Sequence, residues 1–236
     1  MSRKLKVEYY ALKGGVNLRF FFNSFRYSED MDLDVGKVEV NKLKYLVMAI
    51  LESRSFQDTL ASFGINKVIS PTITKAKQTE TTQRFKVHLI TSSSEDLFTK
   101  VEFSRRGFKG NPIIQPISNL ILREYKLTPL LVPHYDLSST LIQKVNALAA
   151  RSVIQARDVF DLYILNSQLS KNEMLKVDGT DRSNLLKAYN NVFEISFEQF
   201  RDTVILYLAS EDQGLYSNPS LWDEIKLKVA HFIEEL

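Results

Sequence analysis

The chain has 236 residues, 44% hydrophobic and 25% charged, with 8 Gly and 6 Pro; this allows one large domain or two smaller ones with a real core, and excludes disordered and fibrous classes. It contains no cysteine, which excludes disulfides and thiolate metal sites and makes a reducing cytoplasm the expected location. The net charge of +3 is unevenly spread, with 21 Lys+Arg against 13 Asp+Glu in residues 1–135 and 10 against 15 in residues 136–236. A basic N-terminal half suits a polyanion such as RNA, although a solvated face gives the same imbalance. The opening MSRKLKVEYY has no apolar signal core. No run is long enough to span a bilayer, so no membrane partner is expected.

In chain order, Val7 to Leu12 predicts a strand leading into Gly14-Gly15, and Val16 to Asn23 a helix burying Leu18, Phe21 and Phe22. A strand, a glycine turn and a helix start present free backbone N–H groups to an anion, and glycine lets a phosphate approach the main chain. Gly-Gly alone is more commonly a plain turn. Asp30, Asp32 and Asp34 follow at alternate positions of a predicted strand. Alternation puts the three acids on one face and Met31, Leu33 and Val35 on the other. Their mutual repulsion would be relieved by a hard divalent cation such as Mg2+, which takes carboxylate oxygens and leaves positions for phosphate. An exposed acidic edge strand is the plainer alternative. Arg26 and Ser28, just before the acids, would either touch phosphate or brace the loop.

Gly36 ends that strand, and the apolar spacing from Asn41 to about Phe63 predicts one helix, capped at Gly64, that packs the core. Strands are then expected at Val68–Ala76, Arg84–Thr91 and Leu97–Ser104. Glu102 falls on the polar face of the last, as a third metal-site acid or as a surface partner of Lys100 or Arg105. Basic residues crowd this region, among them Lys67, Arg84, Lys86, Arg105 and Arg106. Pro112 to Pro133 suggests further strands at a sheet edge. His88, His134 and His231 are isolated, in no zinc-ligand spacing.

Beyond Tyr135-Asp136 the pattern turns helical. Ser138 or Ser139 is expected to cap a helix through Arg151, and a second helix covers about Ser152–Leu169. Later helices are expected over Asp181–Phe193, Ser196–Ser210, with Ser196 and Gln199 as start signals, and Pro219–Leu236. The first two carry Lys144 and Arg151, seven apart and so on one face, and Asp158 and Asp161, three apart. A buried ion-pair lattice produces this pattern as readily as a catalytic cluster does.

LKGGVNLRFFFNSFRYSEDMDLDV and KVNALAARSVIQARDVFDLYIL together resemble the AbiEii/AbiGii-type toxins, minimal nucleotidyltransferases related to the DNA polymerase β superfamily. The resemblance runs from residue 11 to about 165. It departs at Val16-Asn17, at Ala149 and in the short stretch before the glycines. It implies an α+β fold: a nucleotidyltransferase mixed sheet with flanking helices in residues 1–135, then a C-terminal helical bundle in residues 136–236 that completes the cleft. It implies transfer of an NMP from an NTP to a hydroxyl, with RNA, and within it the tRNA 3′ end, as the favoured acceptor. A small molecule or a protein hydroxyl is the alternative acceptor, and a non-catalytic nucleotide-binding module the alternative function. The matching residues imply phosphate binding at Gly14, Gly15 and Ser28, and Mg2+ at Asp30 and Asp32 with Glu102 as a third acid. Lys144 would contact the triphosphate, Arg151 would support that site, and Asp158 would orient the lysine or act near the attacking hydroxyl. Asp34 is then the structural member of its trio. The family also implies toxicity within a toxin–antitoxin or phage-defence pair, with an antitoxin acting indirectly.

Overall fold

The computed structural model describes residues 5–71, 78–169 and 181–236. A seven-stranded mixed sheet runs β3-β4-β5-β2-β1-β7-β6, from β1 (Tyr10–Lys13), β2 (Asp30–Val35), β3 (Ile65–Ile69), β4 (Thr82–Thr91), β5 (Asp96–Ser104), β6 (Pro112–Pro116) and β7 (Leu131–Tyr135). Strands β2 and β5 are parallel, as are β1 and β7, and the other neighbours are antiparallel. The expected strand over Val7–Leu12 is shorter: Val7–Tyr9 is a 3-10 turn. The expected strand Val68–Ala76 also shifts, since β3 starts at Ile65, and its part from residue 72 lies outside the described residues. The Pro-punctuated stretch gives one edge strand, β6, while β7 lies inside it.

The alternation expected for β2 is observed. Leu33 and Val35 are buried against Leu12, Tyr10 and Phe103. On this apolar face packs α2 (Val40–Leu51), through Leu43, Val47, Met48 and Leu51. The helix expected to continue to Phe63 breaks instead, because Ser53 turns extended and its hydroxyl accepts from Phe56 N–H, starting α3 (Arg54–Ala61). Helix α3 buries no residue completely.

Helix α1 (Gly14–Phe21) lies between two cores: Leu18 and the following Phe22 enter the helical one, and Phe20 packs against the sheet. Beside it, His134 stacks on Phe21 at 3.5 Å between ring centres. Asn17 donates to the Tyr135 carbonyl and the Thr140 hydroxyl, so its Oδ1 accepts from His134 Nδ1 at 2.9 Å. Nε2 is left buried and bare. Burial pushes the imidazole pKa down from 6.5 to about 4, so a neutral ring is part of the fold.

After α4 (Asn119–Glu124), the helical half comprises α5 (Leu137–Ala150), α6 (Ala156–Asn166), α7 (Arg182–Phe193), α8 (Phe197–Thr203), α9 (Ser210–Tyr216) and α10 (Pro219–Glu234). Asp136, not a serine, caps α5 by accepting from Ser139 N–H at 2.9 Å; Ser139 is used elsewhere, accepting from Asn111 N–H. The expected capping box at Ser196 and Gln199 is present. That helix stops at Thr203, because Val204 leaves helical dihedrals and a 3-10 turn at Ile205–Tyr207 follows, keeping Val204, Ile205 and Leu208 in the core.

Candidate active site

The acid face of β2 looks away from the apolar core, and the glycine turn closes its end. Register pairs Lys13 with Asp32, so Gly14 lies directly beside that carboxylate. Gly14 has φ +67°, and a Cβ there would stand 2.8 Å from Asp32 Oδ2. A Cβ on Gly15 would stand 2.7 Å from Ser28 Oγ and 3.1 Å from Arg26 Nη2. Conformation and space both require glycine at 14, and space requires it at 15. Backbone amides at the start of α1 can therefore approach an anion beside Asp32.

The three aspartates have separate surroundings. Asp34 is buried, with Lys13 Nζ at 2.5 Å and the Tyr135 hydroxyl donating at 2.6 Å. Asp30 meets Lys100 Nζ at 2.8 Å. Asp32 has no ion-pair partner among the described residues. Burial first, then the charges of Glu102 and Asp30, hold its carboxyl above the usual range. Glu102 stands opposite Asp32 on parallel β5, and its partner is Arg84 of β4 at 2.6 Å, neither Lys100 nor Arg105.

Across from the sheet, α5 and α6 supply a buried charge cluster. Lys144 Nζ lies 3.1 Å from Asp158 Oδ1 and 2.6 Å from Asp161 Oδ2, and both aspartate side chains are fully buried. Arg26 forks onto Asp161 through Nε and Nη2 at 3.1–3.3 Å. Arg26 thus braces the loop before the acids. Arg151 is not on the helix face: α5 ends at Ala150, and Arg151 turns extended and reaches back to Asp158. Its Nε comes within 2.6 Å of Oδ2, yet the N–H does not point at it, so Oδ2 has a charge contact and no hydrogen bond. Burial alone would lower the Lys144 pKa, but Asp161 and Asp158 outweigh it and the ammonium is held up. Asp158 is held down despite burial, by Lys144 and then Arg151.

Two cavities meet between these walls, sharing Gly14, Asp32, Lys144 and Arg151. The smaller, about 290 Å³, adds Gly15, Ser28, Asp30, Glu102, Arg84 and Arg157. The larger, about 760 Å³, runs along α5 past Ile142, Gln143, Asn146 and Ala147 to Asn184. Every residue given a site role by the sequence resemblance thus lines one of them, whereas Asp161 lines neither; Arg26, Arg84, Lys100, Arg157 and Tyr207 also line the smaller. Arg157 stands next to Asp158 in the quoted motif, so proximity pointed to it. Tyr207 had no local signal; its carbonyl accepts from Tyr27 N–H at 2.8 Å, and Glu29 beside it raises the phenol pKa.

The donor set suits a hard cation, since Asp32 is a partly buried carboxylate crowded by two others and a bound cation would remove that repulsion. Among the described residues no three His, Cys, Asp or Glu side chains stand as an assembled ligand set. The arrangement would fit an ion on Asp30 and Asp32 with open positions for phosphate, while Glu102, the expected third acid, is paired with Arg84.

A family model described as nucleotidyl transferase AbiEii toxin, type IV TA system, matches residues 1–219. Among solved structures, the chain is similar to MenT4, a nucleotidyltransferase toxin from Mycobacterium tuberculosis H37Rv, with a TM-score of 0.61, 17% identity, and coverage of 100% of this chain and 79% of that one. It is also similar to JHP933 from Helicobacter pylori, with a TM-score of 0.52, 21% identity, and coverage of 93% and 84%. At these identities the likeness is one of fold. Among curated proteins, no sequence matches the chain.

Proposed function

The chain belongs to the AbiEii family of nucleotidyltransferase toxins of type IV toxin–antitoxin systems, and from that premise we propose that it moves an NMP from an NTP to an RNA 3′ hydroxyl, with the tRNA end as favoured acceptor. The observation that carries this reading is the meeting of the glycine turn, Asp30 and Asp32, and Lys144 with Arg151 around two joined cavities.

On this reading Gly14, Gly15 and Ser28 receive phosphate at the start of α1. Lys144 and Arg151 place positive charge beside the β- and γ-phosphates, where it grows more useful as negative charge builds on the leaving group. Asp158 holds both cations in place. The nucleoside extends into the larger cavity along α5. Asp30 and Asp32 hold Mg2+, which when bound neutralises phosphate charge and favours in-line displacement. Glu102 faces the incoming hydroxyl from the next strand and takes its proton. The hydroxyl oxygen bonds to the α-phosphorus, the bond to the bridging oxygen breaks, and pyrophosphate leaves. Residues 1–135 act as the nucleotidyltransferase domain, and residues 136–236 as the helical domain that completes its cleft. No helix among the described residues is long and apolar enough to cross a membrane, and we place the reaction in the cytoplasm. The family implies a cognate antitoxin, which we take to act without binding this cleft.

The test is incubation of the purified protein with Mg2+, each labelled NTP in turn and total tRNA. Label on RNA with one NTP, lost in EDTA, is expected. Label on a protein or small molecule and none on RNA selects the alternative acceptor.

A further inference from the structure

The face that carries the acids continues over β5, β4 and β3, and its register sorts it into levels. At the first, Asp32, Glu102 and Arg84 stand side by side; at the second, Asp30, Lys100 and Lys86. At the third are Phe98, His88 and Ile69. Successive side chains on one face of a strand are two residues apart, so Phe98 lies about 13 Å from Glu102 along β5.

Each level has a distinct chemistry. The first holds the carboxylates. At the second, Lys100 is bound to Asp30, whereas Lys86 is exposed and has no ion-pair partner among the described residues. The third is a platform: Phe98 is 72% exposed, the largest exposure among the large apolar side chains of the described residues, and His88 stacks behind it at 4.6 Å and 19°. Asp96, two residues before Phe98 on β5, is held by His88 at 2.5 Å. Phe98, His88 and the exposed Ile69 share one level of the face and so form a patch rather than a lone exposed ring. From the 3′ hydroxyl of a single-stranded RNA, the 5′ phosphate of the terminal nucleotide and then the base of the penultimate one follow in the same order as carboxylate, amine and aromatic ring along this face.

We propose that the exposed face of β4 and β5 is the track for the last nucleotides of a single-stranded RNA acceptor, with Phe98 stacking a base, Lys86 meeting a backbone phosphate and the 3′ hydroxyl reaching Glu102. The proposal rests on RNA being the acceptor. Stacking on an aromatic ring is tolerant of base identity, and lysine contacts make binding salt-dependent. The track therefore sets affinity for an unpaired end more than for a particular sequence.

The experiment compares wild type with Phe98→Ala, Phe98→Trp and Lys86→Glu. Binding of a fluorescent single-stranded oligoribonucleotide with a free 3′ hydroxyl is measured across a salt series. KM values for tRNA and for NTP are measured in the transfer assay. Phe98→Ala is expected to weaken oligonucleotide binding and raise the tRNA KM by roughly ten-fold, with the NTP KM unchanged. Phe98→Trp should restore both, which a mere loss of folding would not allow. Lys86→Glu should weaken binding and flatten the salt dependence. Wild-type affinity in the alanine variant, or a change confined to NTP, overturns the track. The binding arm stands apart from catalysis. A wild type that binds the oligonucleotide through Phe98 but labels no RNA would overturn the reaction and keep the surface. A wild type that labels protein and does not bind the oligonucleotide would overturn both.

Discussion

The molecule holds two clusters of opposite charges, and they are built in contrary ways. On the sheet, Asp30 with Lys100 and Glu102 with Arg84 are pairs between partly exposed side chains, around an Asp32 that has no ion-pair partner among the described residues. Between the helices, Lys144, Asp158, Asp161 and Arg26 are buried and shared among several contacts, with Arg151 at the rim. Exposed pairs contribute little and exchange readily with water and ions, whereas breaking a buried network strands a charge. The sheet cluster is therefore the replaceable one, suited to admit a cation and a reacting hydroxyl. The helical cluster is a fixed wall that keeps Lys144 charged and in place.

Substitutions can break this contrast. The largest effect should come from Asp32→Asn, which should lower transfer by roughly 10³-fold or more, about 4 kcal/mol of barrier. Thermal unfolding without metal should show equal or greater stability, because a carboxylate disfavoured by burial and like charges has been removed. A clear loss of stability would put Asp32 in the structural class. Mg2+ should raise the melting temperature of wild type and leave that of the variant unmoved.

Asp161→Ala should do the reverse, costing about 3–5 kcal/mol in urea unfolding because it strands Arg26 and takes one partner from Lys144. A neutral result would mean that the lattice is ornamental to the fold. Its pH limits lie far apart. Asp158, with a lowered pKa, contributes stability that is lost only as pH falls below the unfolded carboxylate range. Lys144, with a raised pKa, loses its contribution only as pH climbs past the ordinary lysine value.

Sensitivity nearer neutrality should belong to neither cluster, but to His134. Its folded pKa of about 4 lies below the unfolded 6.5, so its contribution is complete above pH 6.5 and is lost as pH falls. From about pH 7.5 to about pH 5 it should remove about 2 kcal/mol. Urea curves at the two values would show it, and His134→Gln should reduce the slope. Least of all, Arg84→Met should change stability by under about 1 kcal/mol; a larger loss would move the sheet cluster toward the helical one.

What the sequence made readable follows from how far each signal travels along the chain. Alternation in DMDLDV assigned Asp30 and Asp32 to one face and Leu33 and Val35 to the other, since both patterns are local. The capping box at Ser196 was readable for the same reason. Helix breaks at Ser53 and Val204 were hidden within apolar spacing that continues across them. Arg151 was assigned to a helical face, but the helix ends one residue sooner and its backbone turns. The pairing of Arg26 with Asp161 joins residues 135 apart. The levels shared by Asp32, Glu102 and Arg84 depend on strand register, which no local pattern states. Their surroundings became visible only when the sheet was assembled.

Tyr135 links the two halves at a single residue. Its hydroxyl donates to Asp34 and accepts from Lys109 N–H, while its carbonyl accepts from Asn17 of α1 and Thr140 of α5. The strand bearing the acids, the helix after the glycines and the helix bearing Lys144 thus meet in one rigid knot. A site tied in this way has no slack to take up between its walls. Substrates would have to fit a gap of fixed width, and selectivity by size would follow from the knot before any contact with a base is made.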